Sequence, residues 1–290
     1  MLLSIAMPTR NSARYIRDAL QSIRQALAGT GVAWETLIAD GGSTDETREF
    51  VEAEPNARIV SWSDAGLYDG MNRAISAATG GFVLILNSDD LLIDVGIRAA
   101  LDHFRRTPDC DMVSGDVLVG QDLGGATKTS PFRSLSADGA MFGIPAINAR
   151  IYRRDVVVKA GPIWIDAGLA ADREWLARLS ASAVQRHRVD APLYFYRQHE
   201  GSKTLANDAE ASERIWRAEC QLARRILADP KASPTLRSLA RSAHALATFK
   251  LRVRGLSTSD LSGAVPETSL ADLARGIGLT LRWRGKIAGS

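Results

Sequence analysis

Between Leu2 and Val119 the chain alternates short β-rich apolar runs with stretches of helical periodicity, a pattern that points to a mostly parallel sheet covered by helices. The strand candidates are Leu2 to Met7, Thr36 to Ala39, Arg58 to Trp62, Phe82 to Leu86 and Met112 to Val119. Ile16, Leu20, Ile23 and Leu27 recur at helical spacing, as do Met71, Ala74, Ile75 and Ala78, a run closed by Gly80 and Gly81. Ser43 and Glu46 match the S-x-x-E capping box, which predicts a helix starting directly after Asp40, Gly41 and Gly42. Residues 120 to 145, rich in Gly, Ser and Thr, read as a loop region with room for a hairpin. Trp175, Leu176 and Leu179 mark another amphipathic helix near Asp172, and Leu193 to Tyr196 a further strand. From about Ser212 onward the periodicity is helical and rich in Arg and Ala.

The 290 residues suffice for one α/β domain plus an appendage, since domains commonly hold about 100–200 residues. The expected division is a catalytic-type domain over residues 1–205 and a helical region over 206–290. With 46% hydrophobic and 24% charged residues the chain is an ordinary globular one. Its 36 basic residues are interspersed with 33 acidic ones, for a formal charge of +3, so nucleic acid is not an expected partner. Cys110 and Cys220 lie far apart with no Cys or His at ligand spacing, which indicates neither disulfide nor zinc and fits the cytoplasm. The start MLLSIAMPTR reads as a short buried strand rather than a signal peptide. No window reaches the roughly 20 apolar residues of a spanning helix, so any membrane contact is expected to be peripheral.

In a parallel α/β sheet ligands bind beyond the carboxyl ends of the strands. Four such places carry polar loops here: Pro8-Thr9-Arg10-Asn11, Asp40-Gly41-Gly42-Ser43, the stretch Asp64 to Arg73, and Asn87-Ser88-Asp89-Asp90. An Asp after a strand is often only a turn or capping residue. The adjacent carboxylates of Asp89 and Asp90 repel each other, however, and a cation would neutralise them beside a buried strand.

Taken in order and spacing, PTRN, DGGSTD, D-x-G-x-Y-D-x-M-N and LNSDD resemble the family 2 glycosyltransferases of GT-A fold, over roughly residues 1 to 205. The nearest flavour is that of bacterial enzymes building cell-surface polysaccharides. The resemblance implies a Rossmann-like, mixed but mostly parallel sheet flanked by helices, with a C-terminal helical appendage. It also implies an inverting enzyme that moves a sugar from a nucleotide-sugar donor, a UDP-sugar being favoured, to a hydroxyl of a saccharide or lipid-linked saccharide. Thr9 and Asp40, with Pro8, Arg10, Asn11 and Gly41 around them, match the nucleoside-holding positions. Asp64 and Arg73, in the segment that also carries Gly66, Asp69 and Asn72, match the part that approaches the diphosphate and sugar.

Asn87-Ser88-Asp89 occupies the family's D-x-D position, which makes Asp89 the implied ligand of Mg²⁺ or Mn²⁺. Asn87 departs from the usual Asp; it can bond a ribose hydroxyl but adds no charge at the metal. Asp90 has two readings, a sugar contact or a cap of the following helix. Leu169 to Leu176 is similar to the family's A-A-D-x-x-L-like segment, so Asp172 is the implied catalytic base, with Glu174 in reserve. His199, in Arg197 to Ser202, falls where a family histidine touches metal or diphosphate.

Two other functions fit the same residues. A nucleotidyltransferase that makes sugar nucleotides would need a Gly-rich basic loop after the first strand, which PTRNSARY matches poorly. A non-catalytic module could bind an activated sugar or a glycan without turnover. In the tail, Leu270, Leu273, Ile277, Leu279 and Leu281 beside Arg275, Arg282, Arg284 and Lys286 form an amphipathic basic helix. It suits either docking on the catalytic domain or lying on the inner face of the cytoplasmic membrane.

Overall fold

The strand β1 (Leu2–Thr9) is buried from its second residue onward, as a strand covered on both faces must be. It pairs in parallel with β2 (Ala33–Asp40) on one side and β4 (Phe82–Ile85) on the other; β3 (Ala57–Ser61) extends the sheet beyond β2. The computed structural model describes residues 1–61, 66–125, 128–130, 136–143, 146–181, 184–201, 209–261 and 268–288. Helix α1 (Ala13–Leu27) buries Ile16, Ala19, Leu20, Ile23, Ala26 and Leu27, the i, i+3, i+4 stripe of an amphipathic helix on a sheet. Helices α2 (Thr47–Glu52) and α3 (Leu67–Ser76) follow in the same alternation, and α4 (Asp94–Arg106) buries Ile97, Leu101 and Phe104.

Beyond β4 the sheet becomes mixed. The order is β3-β2-β1-β4-β8-β6-β9-β5, where β5 is Leu91–Leu92, β6 Met112–Gly120, β8 Arg150–Arg153 and β9 Arg186–Arg197. β8 runs against both β4 and β6, β6 and β9 are parallel, and β5 closes the edge antiparallel to β9. β7 (Lys128–Ser130) pairs antiparallel with β6, which is the hairpin the 120–145 region left room for. Helix α6 (Arg154–Ala160) follows β8. The sheet is mixed and mostly parallel and is flanked by helices, as expected.

One expectation fails locally. Ser43 and Glu46 do not cap α2: the helix begins at Thr47, and Glu46 stands at the N-cap position without a side-chain cap bond. The Ser43 hydroxyl donates instead to Asp40 Oδ1 at 2.5 Å. A buried carboxylate is a stronger acceptor in need of donors and takes the hydroxyl first. Asp45 receives the Thr47 amide at 3.1 Å and the Ala13 amide at 3.0 Å, and so joins the starts of two helices.

The contacts divide the chain into two compact units that are not contiguous in sequence, unlike the single boundary near 205. The first comprises 1–133, 146–163 and 182–199, and the second 134–145, 164–181 and 200–290. The first holds the sheet and a core built on Leu3, Ile5, Ile38, Leu84, Leu86 and Val113. The second is helical: α5 (Ala137–Phe142), a 3₁₀ turn at Ile165–Ala170, α7 (Ala171–Ala181), α8 (Ala209–Ala228), α9 (Pro234–Val253) and α10 (Leu270–Ala288). Cys220, Ala247, Leu251 and Leu261 are buried together in it. Both cysteines are free and buried, and burial pushes the Cys220 thiol up to about 11. Among the described residues no helix is long and apolar enough to cross a membrane.

Candidate functional site

β1, β2 and β4 are parallel and release their C-terminal loops at one edge of the sheet. Asn11, in the left-handed region at φ 49°, brings the first two loops together. Its amide donates to Ser43 Oγ at 2.8 Å, its side-chain oxygen accepts the Thr44 amide at 2.8 Å, and the Ser12 amide reaches Thr47 Oγ1 at 2.7 Å. Pro8 is buried within β1, Arg10 is exposed, and the Gly41 amide donates to the Thr9 carbonyl at 2.9 Å.

Asp40 is buried at the end of β2. Oδ1 accepts the Ser43 amide at 3.1 Å in addition to its hydroxyl, and Oδ2 faces Arg48 Nε at 3.6 Å. An open cleft of about 560 Å³ runs from this carboxylate along Gly42, Arg48, Val51, Glu52, Ala57, Arg58 and Ile59. Beside it the Thr9 hydroxyl and the Asn87 side-chain oxygen are buried with no hydrogen-bond partner among the described residues. Unpartnered buried polar atoms are rare enough to need a reason, and a polar ligand group is one.

The β4 loop meets β9 at Asp89. His199 Nε2 lies 3.0 Å from Asp89 Oδ2, a contact across 110 residues of sequence that joins the two residues implied as metal ligands. The His199 ring packs on Tyr15 at 4.6 Å between centroids. Arg197 lies 5.1 Å from the same ring, donates through Nε to the Asp89 carbonyl at 3.0 Å, and pairs with Asp18 at 2.9 Å. Ser88, also buried, shares a hydrogen bond with Ser12 at 2.8 Å, so α1, the β4 loop and the end of β9 form one assembly.

Asp90 points the other way. It is 1% exposed; Oδ2 accepts Tyr194 OH at 2.6 Å and Asn87 Nδ2 at 3.1 Å, and Oδ1 accepts the Arg197 amide at 2.8 Å. Burial and the neighbouring Asp89 charge push this carboxyl up to about 7 against the pull of those three donors. The cap reading is corrected: the N-cap of α4 is Ile93, because the two residues of β5 intervene before the helix begins.

Asp64 lies outside the described residues. Gly66, at φ 103°, occupies the N-cap of α3, a backbone region that glycine alone enters without strain. Asp69, half-buried, and the exposed Arg73 form an i,i+4 pair at 3.7 Å. Both ends of the Asn72 amide are bonded to the backbone of Ile163, at 2.8 and 2.9 Å, so this side chain fastens the segment after α6.

In the helical unit, Asp172 lies half-buried in the first turn of α7, with Oδ1 accepting the Arg173 amide at 2.8 Å. Glu174 is 1% exposed and held by Arg178 through two bonds of 2.9 and 2.8 Å. Burial raises its carboxyl despite Arg178. A side chain so enclosed is a structural ion pair, which removes it as the reserve base. Sequence reasoning missed Tyr15, Arg48, Tyr194 and Arg197. Of these only Arg197 had a signal, as the neighbour of His199 in a polar run after a strand.

The family model for glycosyl transferase family 2 matches residues 4–152, and the chain belongs to that family. It is 29% identical over 226 residues to a PGL/p-HBAD biosynthesis glycosyltransferase of Mycobacterium tuberculosis, covering 74% of this chain and 84% of the relative. The fold is similar to that of S. aureus TarS 1–349 solved with UDP-GlcNAc, at TM-score 0.63 and 19% identity over 99% of this chain and 82% of that one. It is also similar to the mannosyltransferase PcManGT of Pyrobaculum calidifontis in complex with GDP-Man and Mn²⁺, at TM-score 0.57 and 19% identity over 99% of this chain and 83% of that one. The chain is therefore a glycosyltransferase, which sets aside the nucleotidyltransferase reading.

Proposed function

We propose that this glycosyltransferase takes a nucleoside-diphosphate sugar, a UDP-sugar in first place, and transfers the sugar with inversion to a hydroxyl of a saccharide or lipid-linked saccharide in surface polysaccharide or glycolipid synthesis. The observation that carries the reading is the gathering, on one sheet edge, of the Asp40 cleft, the unpartnered Thr9 and Asn87 oxygens and the Asp89–His199 pair. A base in the cleft beside Asp40, a ribose at Thr9 and Asn87 and a diphosphate near Asp89 is the order that suits such a donor. The similarity to a PGL/p-HBAD biosynthesis glycosyltransferase and to structures solved with UDP-GlcNAc and with GDP-Man favours it.

The chemistry of one carboxylate and one imidazole 3.0 Å apart suits a divalent cation, although among the described residues no group of three or more His, Cys, Asp or Glu side chains is arranged to hold one by itself. Asp89 and His199 would hold Mg²⁺ or Mn²⁺, with diphosphate oxygens and water completing its shell. The ion would supply Lewis-acid stabilisation of the leaving diphosphate. Arg197 and Tyr15 orient Asp89 and His199. Asp172 is the proposed general base: it takes the proton from the acceptor hydroxyl as that oxygen attacks the anomeric carbon and the bond to the diphosphate breaks. Such help is typically worth about 10²–10⁴-fold.

Turnover with UDP-, GDP- and dTDP-sugars, read beside donor calorimetry, tests the assignment. Asp172→Asn is expected to bind donor normally and lose transfer by about 10²-fold or more, whereas Asp89→Ala weakens both metal and donor binding. Wild-type transfer by Asp172→Asn would overturn the base assignment. An inactive wild-type protein that still binds donor would favour the non-catalytic module.

A further inference from the structure

Helix α10 has two apolar faces, of which one is docked. At about 100° per residue, Gly276 and Trp283 fall on one side and Leu270, Ala274, Ile277 and Leu281 on the other. On the docked side a Cβ at Gly276 would stand 2.7 Å from the Ser242 carbonyl oxygen, so only glycine lets α9 approach this closely. Trp283 is buried there, with its indole N–H 3.3 Å from Asp138. The opposite stripe is open: Leu270 is 85% exposed, Leu281 65% and Ile277 39%. Ala271, Ala274 and Gly278 are exposed along it.

The charges that α10 itself places beside this stripe have one sign. Arg275 and Arg282 are exposed at its border; Arg275 bonds the neutral Ser238 hydroxyl, and Arg282, 60% exposed, lies 3.6 Å from Asp138. The one acid of the helix, Asp272, is turned away, bonded to Ser269 at 2.8 Å and 4.0 Å from Arg241. Arg284 and Lys286 add to the positive charge of the helix.

We propose that the outward face of α10, formed by Leu270, Ala274, Ile277 and Leu281 and bordered by Arg275 and Arg282, is a docking surface for an anionic lipid bilayer. An apolar stripe bordered by cations sinks its side chains to the acyl boundary while the guanidinium groups meet lipid phosphates. A second copy of the chain is the poorer occupant. A two-fold contact places like patch on like patch, and this one would set Arg275 and Arg282 against their own counterparts, with Asp138, the acid beside Arg282, already engaged by Arg282 and Trp283. The proposal stands on the helix itself and is read without turnover, so it survives or falls apart from the donor reading.

Full-length protein is pelleted with phosphatidylcholine vesicles, with and without phosphatidylserine. Binding is expected on the anionic vesicles and to weaken with salt. Leu270→Gln with Leu281→Gln, both highly exposed, should lower the partition at least tenfold while the thermal midpoint and donor binding are unchanged. Arg275→Gln with Arg282→Gln should lower it on anionic vesicles alone, by about fivefold per cation removed. Absence of wild-type pelleting, equal pelleting of wild type and variants, or a wild-type dimer that Leu281→Gln makes monomeric would each overturn the proposal.

Discussion

The hydroxyl of Tyr194 serves three partners: it donates to Asp90 at 2.6 Å and accepts from the Asn87 amide at 3.2 Å and Asn148 Nδ2 at 3.1 Å. Tyr194→Phe leaves a buried carboxylate oxygen and a buried amide short of a partner, and such loss costs about 1–3 kcal/mol. Urea unfolding is expected to give a midpoint lowered by that amount with an unchanged slope. A midpoint equal to wild type would mean the hydroxyl holds nothing in place. The same residues mark the limit of sequence reading. Asp89 and Asp90 lie in the turn after β4, and of these two adjacent carboxylates one faces His199 and the other the interior. LNSDD does not say which, because Tyr194 and Arg197 decide it from more than a hundred residues away. Asp89 and His199 were legible as partners only through the family pattern; spacing alone gave no reason to join them.

Buried elements were the most legible: β4 is a continuous apolar run, β1 is apolar except for Ser4 and its last residue Thr9, β2 carries the buried apolar run Leu37 to Ala39, and α1 has a full amphipathic stripe. β8 escaped because its four residues are only Ile and Tyr flanked by Arg on either side, and they obtain their burial from neighbouring strands on both sides. The far end of the sheet, opposite the candidate site, is fixed by polar contacts. The Ser4 hydroxyl donates to Glu35 Oε1 at 2.6 Å and accepts the Gly80 amide at 2.9 Å, while the Thr79 amide and hydroxyl reach the same carboxylate oxygen at 2.8 and 2.7 Å. Burial pulls the Glu35 carboxyl upward, but those donors and Arg58 outweigh it and hold it below the ordinary Glu value. A carboxyl with a depressed folded-state pKa binds fewer protons folded than unfolded. Its contribution is therefore complete above the unfolded value of about 4.3 and lost as pH falls through the depressed one. Glu35→Gln should cost about 1 kcal/mol near neutral pH and progressively less as acid protonates the wild-type carboxyl. Chemical unfolding of both proteins at neutral and acidic pH gives the difference; a gap that is constant or widens in acid would exclude the ionised network.

At the scale of the molecule, the boundary expected at 205 came from a change in periodicity, which reports local helix content and says nothing about long-range packing. By contact, α5 and α7 group with the C-terminal helices. Arg173 of α7 reaches Glu219 of α8 at 3.6 Å, Trp164 carries the Arg225 guanidinium at 4.3 Å, and Trp283 of α10 would meet any side chain placed at Gly139 of α5. The helix that bears Asp172 is therefore supported by residues beyond 205. A chain ending at 205 keeps α5 and α7 but removes the helices whose Cys220, Leu222, Ala223 and Ile226 are fully buried in the intact protein. Such a truncation is expected to bind a hydrophobic dye and to lose cooperative near-UV dichroism melting in the segments it retains from that unit, because an apolar face without a partner has no other burial available. The sheet and the proposed metal ligands Asp89 and His199 lie in the other unit, so calorimetric Mn²⁺ binding is the separate readout. Retained metal binding with a disordered α7 follows from the contact division, whereas a truncated chain that melts like the full-length protein would restore the boundary at 205.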